Sequence, residues 1–301
     1  VGINAWVEEN GDLVFYVSKT DAWDENARLC KIGRVRVKFD PPLAAKDKFR
    51  QELKLRDGVI QIESRIQNSE FGIRLWVDSD QPVVRVEAES AVPVSCRAEL
   101  ELWRLRERPL VAQEDYGYGD GKSPQAQAYK LTVLPDAVAT SAAPRVVWYH
   151  RNTRSLYPVC LEVQHLEALK GKFADPLMNH TFGASLRGAD MVRDGAKALK
   201  SSKPAKRHQL SVCVLAQRAE TAEGWLKDLD RVEQTALRPG FEQARRTTAA
   251  WWQAFWNRSW VFVGEAAGSA TNADGNAAAK SGAATAAPPE LTQGYVLQRF
   301  M

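Results

Sequence analysis

The sequence lacks any run of about 18 uncharged apolar residues, so it contains no candidate transmembrane helix. From Val1 onward it enters a strand-like pattern, and no charged and apolar leader pattern is visible within it. Histidine is scarce. His150, His165, His180 and His208 form no HExxH or i,i+4 pair, which removes support for a His-ligated metal. The four cysteines, Cys30, Cys96, Cys160 and Cys213, form no CxxC or CxxH pair, so zinc-ribbon and thioredoxin-type chemistry are excluded. Each sits beside apolar residues, as in Pro158–Leu161 and Val212–Val214, and reads as a buried thiol in a strand more readily than as half of a disulfide.

A surplus of one charge is missing too. Lys plus Arg number 41 against 37 Asp plus Glu, a net charge of +4, and the two signs alternate along the chain. The one Lys-rich stretch (Lys197, Lys200, Lys203, Lys206, Arg207) contains Pro and Ser but no aromatic residue, so nucleic acid is not an expected partner. A GxSxG elbow is absent, since Gly183-Ala-Ser185-Leu-Arg-Gly188 has the wrong spacing. The three glycines of the polar stretch 113–127 are followed by no GK[ST] ending, so that stretch reads as a surface loop. Asp21, Asp24 and Glu25 do not make a calcium loop, because Trp23 interrupts them and the required glycine is missing. No cofactor is expected.

What is present is a globular composition, 45% hydrophobic and 26% charged, with strand signals over most of the length. Ala5–Glu8, Asn10-Gly11 and Leu13–Val17 read as a hairpin, with Asn-Gly supplying positive φ at the bend. Ile32–Phe39, Gln51–Leu55, Val59–Ile66, Phe71–Val77, Val83–Ala88 and Ser95–Leu105 continue the rhythm, and Asp57-Gly58 marks a second tight turn. Further strands are expected at Arg145–His150, Cys160–His165, Phe182–Leu186 and Gln209–Gln217. Eight or more strands without intervening helices imply two packed antiparallel sheets, a mainly β fold.

The period then changes. Thr221–Leu237 and Phe241–Trp256 carry apolar residues at helical spacing, separated by Pro239-Gly240. An Ala- and Gly-rich stretch at 264–288 has too little apolar surface to offset its ordering entropy and reads as a disordered linker or long loop. Tyr295, Val296, Leu297, Phe300 and Met301 begin an apolar helix face, which leads us to expect further polypeptide to cover it. The expected organisation is a β-sandwich at 1–218, a helical linker at 219–263, an Ala/Gly-rich linker at 264–289 and a new helical unit starting at 290–301.

Three segments carry candidate chemistry. Ser18–Asn26 mixes carboxylates, an amide and an indole after a strand, the mixture that binds sugar hydroxyls and covers a sugar's C–H face. The plainer reading makes Asp21 a helix or turn cap and puts Trp23 in the core. Trp148-Tyr-His-Arg-Asn152 ends an apolar strand, and His150 there either meets a substrate hydroxyl or carboxylate or completes the packing of a strand end. The box from Trp251 to Trp260 holds four of the ten tryptophans and reads as a helix docked between two domains, with Arg258 fixing a carboxylate or carbonyl at the junction.

Taken in order, Asn4–Leu13, Ser18–Asn26, Gly33–Val37, Trp148–Asn152, His180–Gly183, Trp251–Trp260 and Gly294–Arg299 resemble the N-terminal domain of unknown function 5703 and the N-terminal region of enzymes of the glycoside hydrolase family 95 type. The resemblance runs over nearly the whole chain. The Ala-rich stretch at 264–288 departs from the pattern, as does the lack of a Gly-Asn-Gly element before Val1.

The resemblance implies an antiparallel β-supersandwich, a helical linker and an (α/α)6 six-hairpin barrel, with Gly294–Met301 resembling that barrel's first helix. It also implies an inverting hydrolase whose two carboxylates stand about 6.5–9.5 Å apart in the barrel. The chain itself is then expected to hold no catalytic residue and to be inactive alone. Trp23, Asp24, Asn26, His150 and Arg151 are the residues expected to face a carbohydrate substrate or the barrel mouth. The barrel is the expected partner domain, and a secreted or periplasmic location is implied. The alternative is a stand-alone carbohydrate-binding module, marked by an exposed platform of two or three aromatic rings. A purely structural spacer would show neither.

Overall fold

The computed structural model describes residues 1–44, 48–111, 129–258 and 290–300. The expected loop at 113–127, the Ala-rich stretch at 264–288, Trp260 and Met301 lie outside the described residues. Period-two burial builds the first hairpin: β1 (Gly2–Val7) pairs antiparallel with β2 (Leu13–Trp23), with Leu13, Phe15 and Val17 inside and Tyr16 half-buried on the outer side. At the bend the positive φ belongs to Gly11 (87°), where a Cβ would come within 2.4 Å of the Leu43 carbonyl oxygen.

Next come β3 (Leu29–Asp40), β4 (Arg50–Lys54), β5 (Val59–Ile66), β6 (Ser69–Val77) and β7 (Val83–Glu101). The last of these replaces two expected strands with one. Its first half pairs with β6, and its second half, from Ser95, pairs with β3. Pro93 lies between those two ladders, where a missing N–H removes no ladder hydrogen bond.

After the two-residue pair β8 (Arg108–Pro109) and β9 (Thr132–Val133) come β10 (Ala137–Ala139), β11 (Arg145–Arg151), α1 (Tyr157–Val163), β12 (His180–Gly188), β13 (Met191–Arg193), β14 (Ala198–Ser201) and β15 (Ala205–Arg218). Helix α1 corrects the strand expected at Cys160–His165. Pro158, with its fixed φ, fits the first helical turn, and the Cys160 N–H donates to the Leu156 carbonyl at 3.0 Å.

The strands form two antiparallel layers joined by β7: β1-β2-β3-β7-β14-β13 and β4-β5-β6-β7-β15-β12-β11-β10. Between them lies one apolar core, with Phe15, Val35 and Leu100 from the first layer and Ile73, Val86, Phe182 and Val212 from the second. Trp148 crosses this core, its indole N–H donating to the Ile32 carbonyl at 2.9 Å. Gly33 leaves room for it, since a Cβ there would stand 2.9 Å from that nitrogen. The fold is a mainly β antiparallel sandwich followed by helices.

Helix α2 (Ala222–Leu237) is capped by Thr221, whose hydroxyl accepts the Gly224 N–H at 3.0 Å. It lies on the outside of the second layer, burying Trp225 and Leu229 against Val147. Helix α3 (Phe241–Trp256) continues along that side, with Phe241 edge-on to Trp76 and the Trp256 N–H donating to the Leu55 carbonyl at 2.7 Å. Gly58 (φ 65°) lets the Trp252 ring sit where its own Cβ would be, 2.0 Å from Nε1. Helix α4 (Glu290–Phe300) reaches the same aromatic group: Phe300 stacks on Trp252 at 4.7 Å and Arg299 donates to the Phe255 carbonyl at 2.9 Å.

Among the described residues no helix is long and apolar enough to cross a membrane, and no group of three or more His, Cys, Asp or Glu is placed to hold a metal. None of the four cysteines is in a disulfide, and burial pushes the Cys96 thiol up to about 12.

Candidate functional site

Two of the three segments singled out in the sequence, Ser18–Asn26 and Trp148–Asn152, meet in the structure. After β2, Asp24 closes a tight turn: Oδ1 accepts the N–H groups of Asn26 and Arg28, both at 3.0 Å, while Oδ2 accepts Arg28 Nε at 2.8 Å. Cys30 Sγ also lies 3.4 Å from Oδ2, and burial together with this carboxylate pushes the thiol up to about 12. The turn aims Glu25 inward, and its Oε2 stands 2.8 Å from His150 Nε2 on β11. His150 Nδ1 meets Asp136 Oδ1 at 3.0 Å, and Arg104 Nε donates to that same oxygen at 2.8 Å. Phe182 stacks on the imidazole at 5.1 Å.

These four polar residues are buried, with no side chain among them more than 5% exposed. Burial by itself would discharge His150, but its hydrogen bonds to Asp136 and Glu25 outweigh it and raise the imidazole above its ordinary value. Burial likewise opposes charge on Glu25, yet the bond from His150 and that from the Leu134 N–H (2.7 Å) lower its carboxyl overall. In the imidazolium form both ring N–H groups donate. Two carboxylates then balance two cations, the condition under which buried charges persist.

Of the residues expected to face a ligand, Asp24, Asn26 and His150 have their polar atoms engaged inside the chain, with Asn26 donating to the Thr132 carbonyl at 2.9 Å. These polar atoms are thus occupied by partners within the chain. The three are positioning residues for the turn and the strand end. Arg151 binds across to the start of α2, donating to Thr181 Oγ1, Asn179 Oδ1 and the carbonyls of Ala219 and Glu220 at 2.7–3.0 Å. Only Trp23 keeps an open ring, 41% exposed, with Asn152 donating to its carbonyl at 3.1 Å.

The plainer alternative fails, since Asp21 lies within β2 and Trp23 is not core. Sequence reading picked the neighbours of Glu25 but missed Glu25 itself, along with Asp136 and Arg104. Nothing local distinguishes a carboxylate aimed inward by an Asp-closed turn from one aimed outward. At the aromatic box, Arg258 packs over the Phe255 ring at 4.9 Å, a cation–π contact.

Residues 1–261 match the family described as domain of unknown function (DUF5703), in its N-terminal part. The chain belongs to this DUF5703 N-terminal family. No curated protein matches it. Among solved structures it is similar to one titled "Putative kojibiose phosphorylase from human microbiome", with a TM-score of 0.39 and 9% identity, covering 83% of this chain and 35% of that one. The chain thus spans about a third of that protein's length.

Proposed function

We propose that this sandwich is the non-catalytic N-terminal part of a carbohydrate-active enzyme, an inverting glycoside hydrolase acting outside the cytoplasm, and that it buttresses a helical catalytic domain. Family membership over residues 1–261 supports this reading, since the motifs that carry it also resemble the region preceding the six-hairpin barrel of such hydrolases.

The observation that carries it is the seat of α4 on α3. Phe300 stacks on Trp252, Arg299 packs over Phe255 at 4.5 Å, and the Trp251 ring stays 43% exposed while lying parallel to Phe255. Aromatic rings held open beside a docked helix are the kind of surface a second domain covers. The buried Glu25–His150 group holds the neighbouring turn rigid, so Trp23 is the side chain we assign to the rim of the sugar site.

The test compares the full gene product with the 301-residue chain on a panel of plant and host glycans. Cleavage by the full product and none by the 301-residue chain is the expected result. Cleavage by the 301-residue chain alone, or none by either, overturns the reading. In an active full product, Trp23→Ala is expected to raise KM about tenfold with kcat kept, a loss of stacking worth about 1.4 kcal/mol.

A further inference from the structure

The outer face of the first layer presents a second arrangement of aromatic and charged side chains, which borders the buried group through Arg104, whose guanidinium lies 5.8 Å from the Trp103 ring. Register sets Asn4, Tyr16, Arg34 and Glu101 in one row across β1, β2, β3 and β7, with Trp6, Val14, Arg36 and Glu99 in the next. Val14 is fully buried although it lies on the outward side, so the side chains above it form a built layer. Trp6 and Tyr16 are 5.3 Å apart and tilted by 49°. Trp103, which follows β7, stands edge-on to Tyr16 at 6.0 Å and is 46% exposed. Two rings at right angles make a corner, and Arg34 reaches over the Tyr16 face at 5.8 Å.

The charges beside this corner are paired. Arg34 and Arg36 both meet Glu101, and Arg36 also reaches Glu8 at 2.5 Å and Asp12 at 3.0 Å. On the next strand positions, Lys38 and Arg97 meet Glu99. Arg97 also meets Asp194, itself paired with Lys200, so five basic groups face five acidic ones, leaving no net field to attract a nucleic acid, an anionic membrane or a strongly charged protein. A neutral ligand with many hydroxyls matches this face, because fixed guanidinium donors and carboxylate acceptors satisfy hydroxyls of either sense while the rings take an apolar C–H side.

We propose that this face, centred on Tyr16 and Trp103, is a binding site for a neutral oligosaccharide or polysaccharide chain. The inference leans on the carbohydrate reading above only for the class of ligand. It concerns a different set of residues and adds a binding activity that the 301-residue chain holds by itself.

The experiment is affinity electrophoresis and calorimetric titration of the 301-residue chain with xyloglucan, arabinoxylan, galactomannan and mixed-linkage β-glucan, and with polygalacturonate as an anionic probe. Trp103→Ala and Phe173→Ala are compared. Both remove an exposed ring, but Phe173, 63% exposed, lies between α1 and β12, outside the proposed face. Retention by at least one neutral polysaccharide is expected, weakened about tenfold or more in Trp103→Ala and unchanged in Phe173→Ala, with unaltered melting of both variants. Equal binding by both variants and the parent, preference for polygalacturonate, or no retention by any neutral polysaccharide would overturn the proposal. Failure here leaves the hydrolase reading standing, because that reading is tested by cleavage with the full gene product.

Discussion

Two groups in this molecule are made of the same side chains. Around His150, two carboxylates, an arginine and an aromatic ring meet with every side chain buried. Around Tyr16, carboxylates, arginines and aromatic rings meet on the open side of a sheet. The difference is water. In the first group the charges have lost their hydration and depend on one another, so their chemistry is spent on holding Glu25, Asp136 and β11 together. In the second the same ion pairs are partly solvated and individually weak, which leaves them able to exchange partners with a ligand. Composition marks both as binding chemistry, but burial decides which one can bind.

Breaking the buried group should have the larger effect. Arg104→Ala takes away a cation that donates to Asp136, bonds the Lys31 carbonyl at 3.1 Å and lies over Phe182 at 5.8 Å. Equilibrium urea unfolding is expected to show a loss of about 3 kcal/mol. A loss near zero would mean that Arg104 adds little to the buried group.

The same group sets a pH dependence. His150 is raised above its ordinary 6.5, so the stability it supplies is complete below 6.5 and is lost as pH climbs through the raised value. Glu25 is lowered below its ordinary 4.5, so its share is complete above 4.5 and is lost as pH falls through the lowered value. In His150→Gln the alkaline loss disappears. The stability gap between parent and variant is therefore expected to narrow as pH rises from about 6 to about 9. A gap that stays constant over that range contradicts the charged imidazole.

On the open face the expected effect is smallest. Arg34 is a third exposed, and Arg34→Ala should cost less than about 1 kcal/mol of stability. A larger loss would blur the distinction between the two groups.

The sequence made the local features legible and the distant pairings not. Asn10-Gly11 and Asp57-Gly58 mark real turns because their glycines must take positive φ. Thr221 and Pro239-Gly240 bound the helices through capping and fixed dihedrals, which depend only on near neighbours. The strand expected at Cys160–His165 is a helix, because so short an apolar run suits either state and Pro158 fits a first helical turn. At the site, Asp24 and His150 stood out by residue type, but the contact of His150 with Glu25 spans 125 positions and its contact with Asp136 depends on the turn between β10 and β11. The open aromatic corner was equally hidden, because Trp6, Tyr16 and Trp103 come together only through strand register and the path of β7.

The most direct test of the whole account is a pair of urea unfolding curves at neutral pH, one for His150→Ala and one for Trp103→Ala. The account predicts a loss of roughly 3–5 kcal/mol for His150→Ala, which strands two buried carboxylates, and a change within about 0.5 kcal/mol for Trp103→Ala. Equal losses, or a larger loss for Trp103→Ala, would contradict the division between a buried group that holds the fold and an open one that is free to bind.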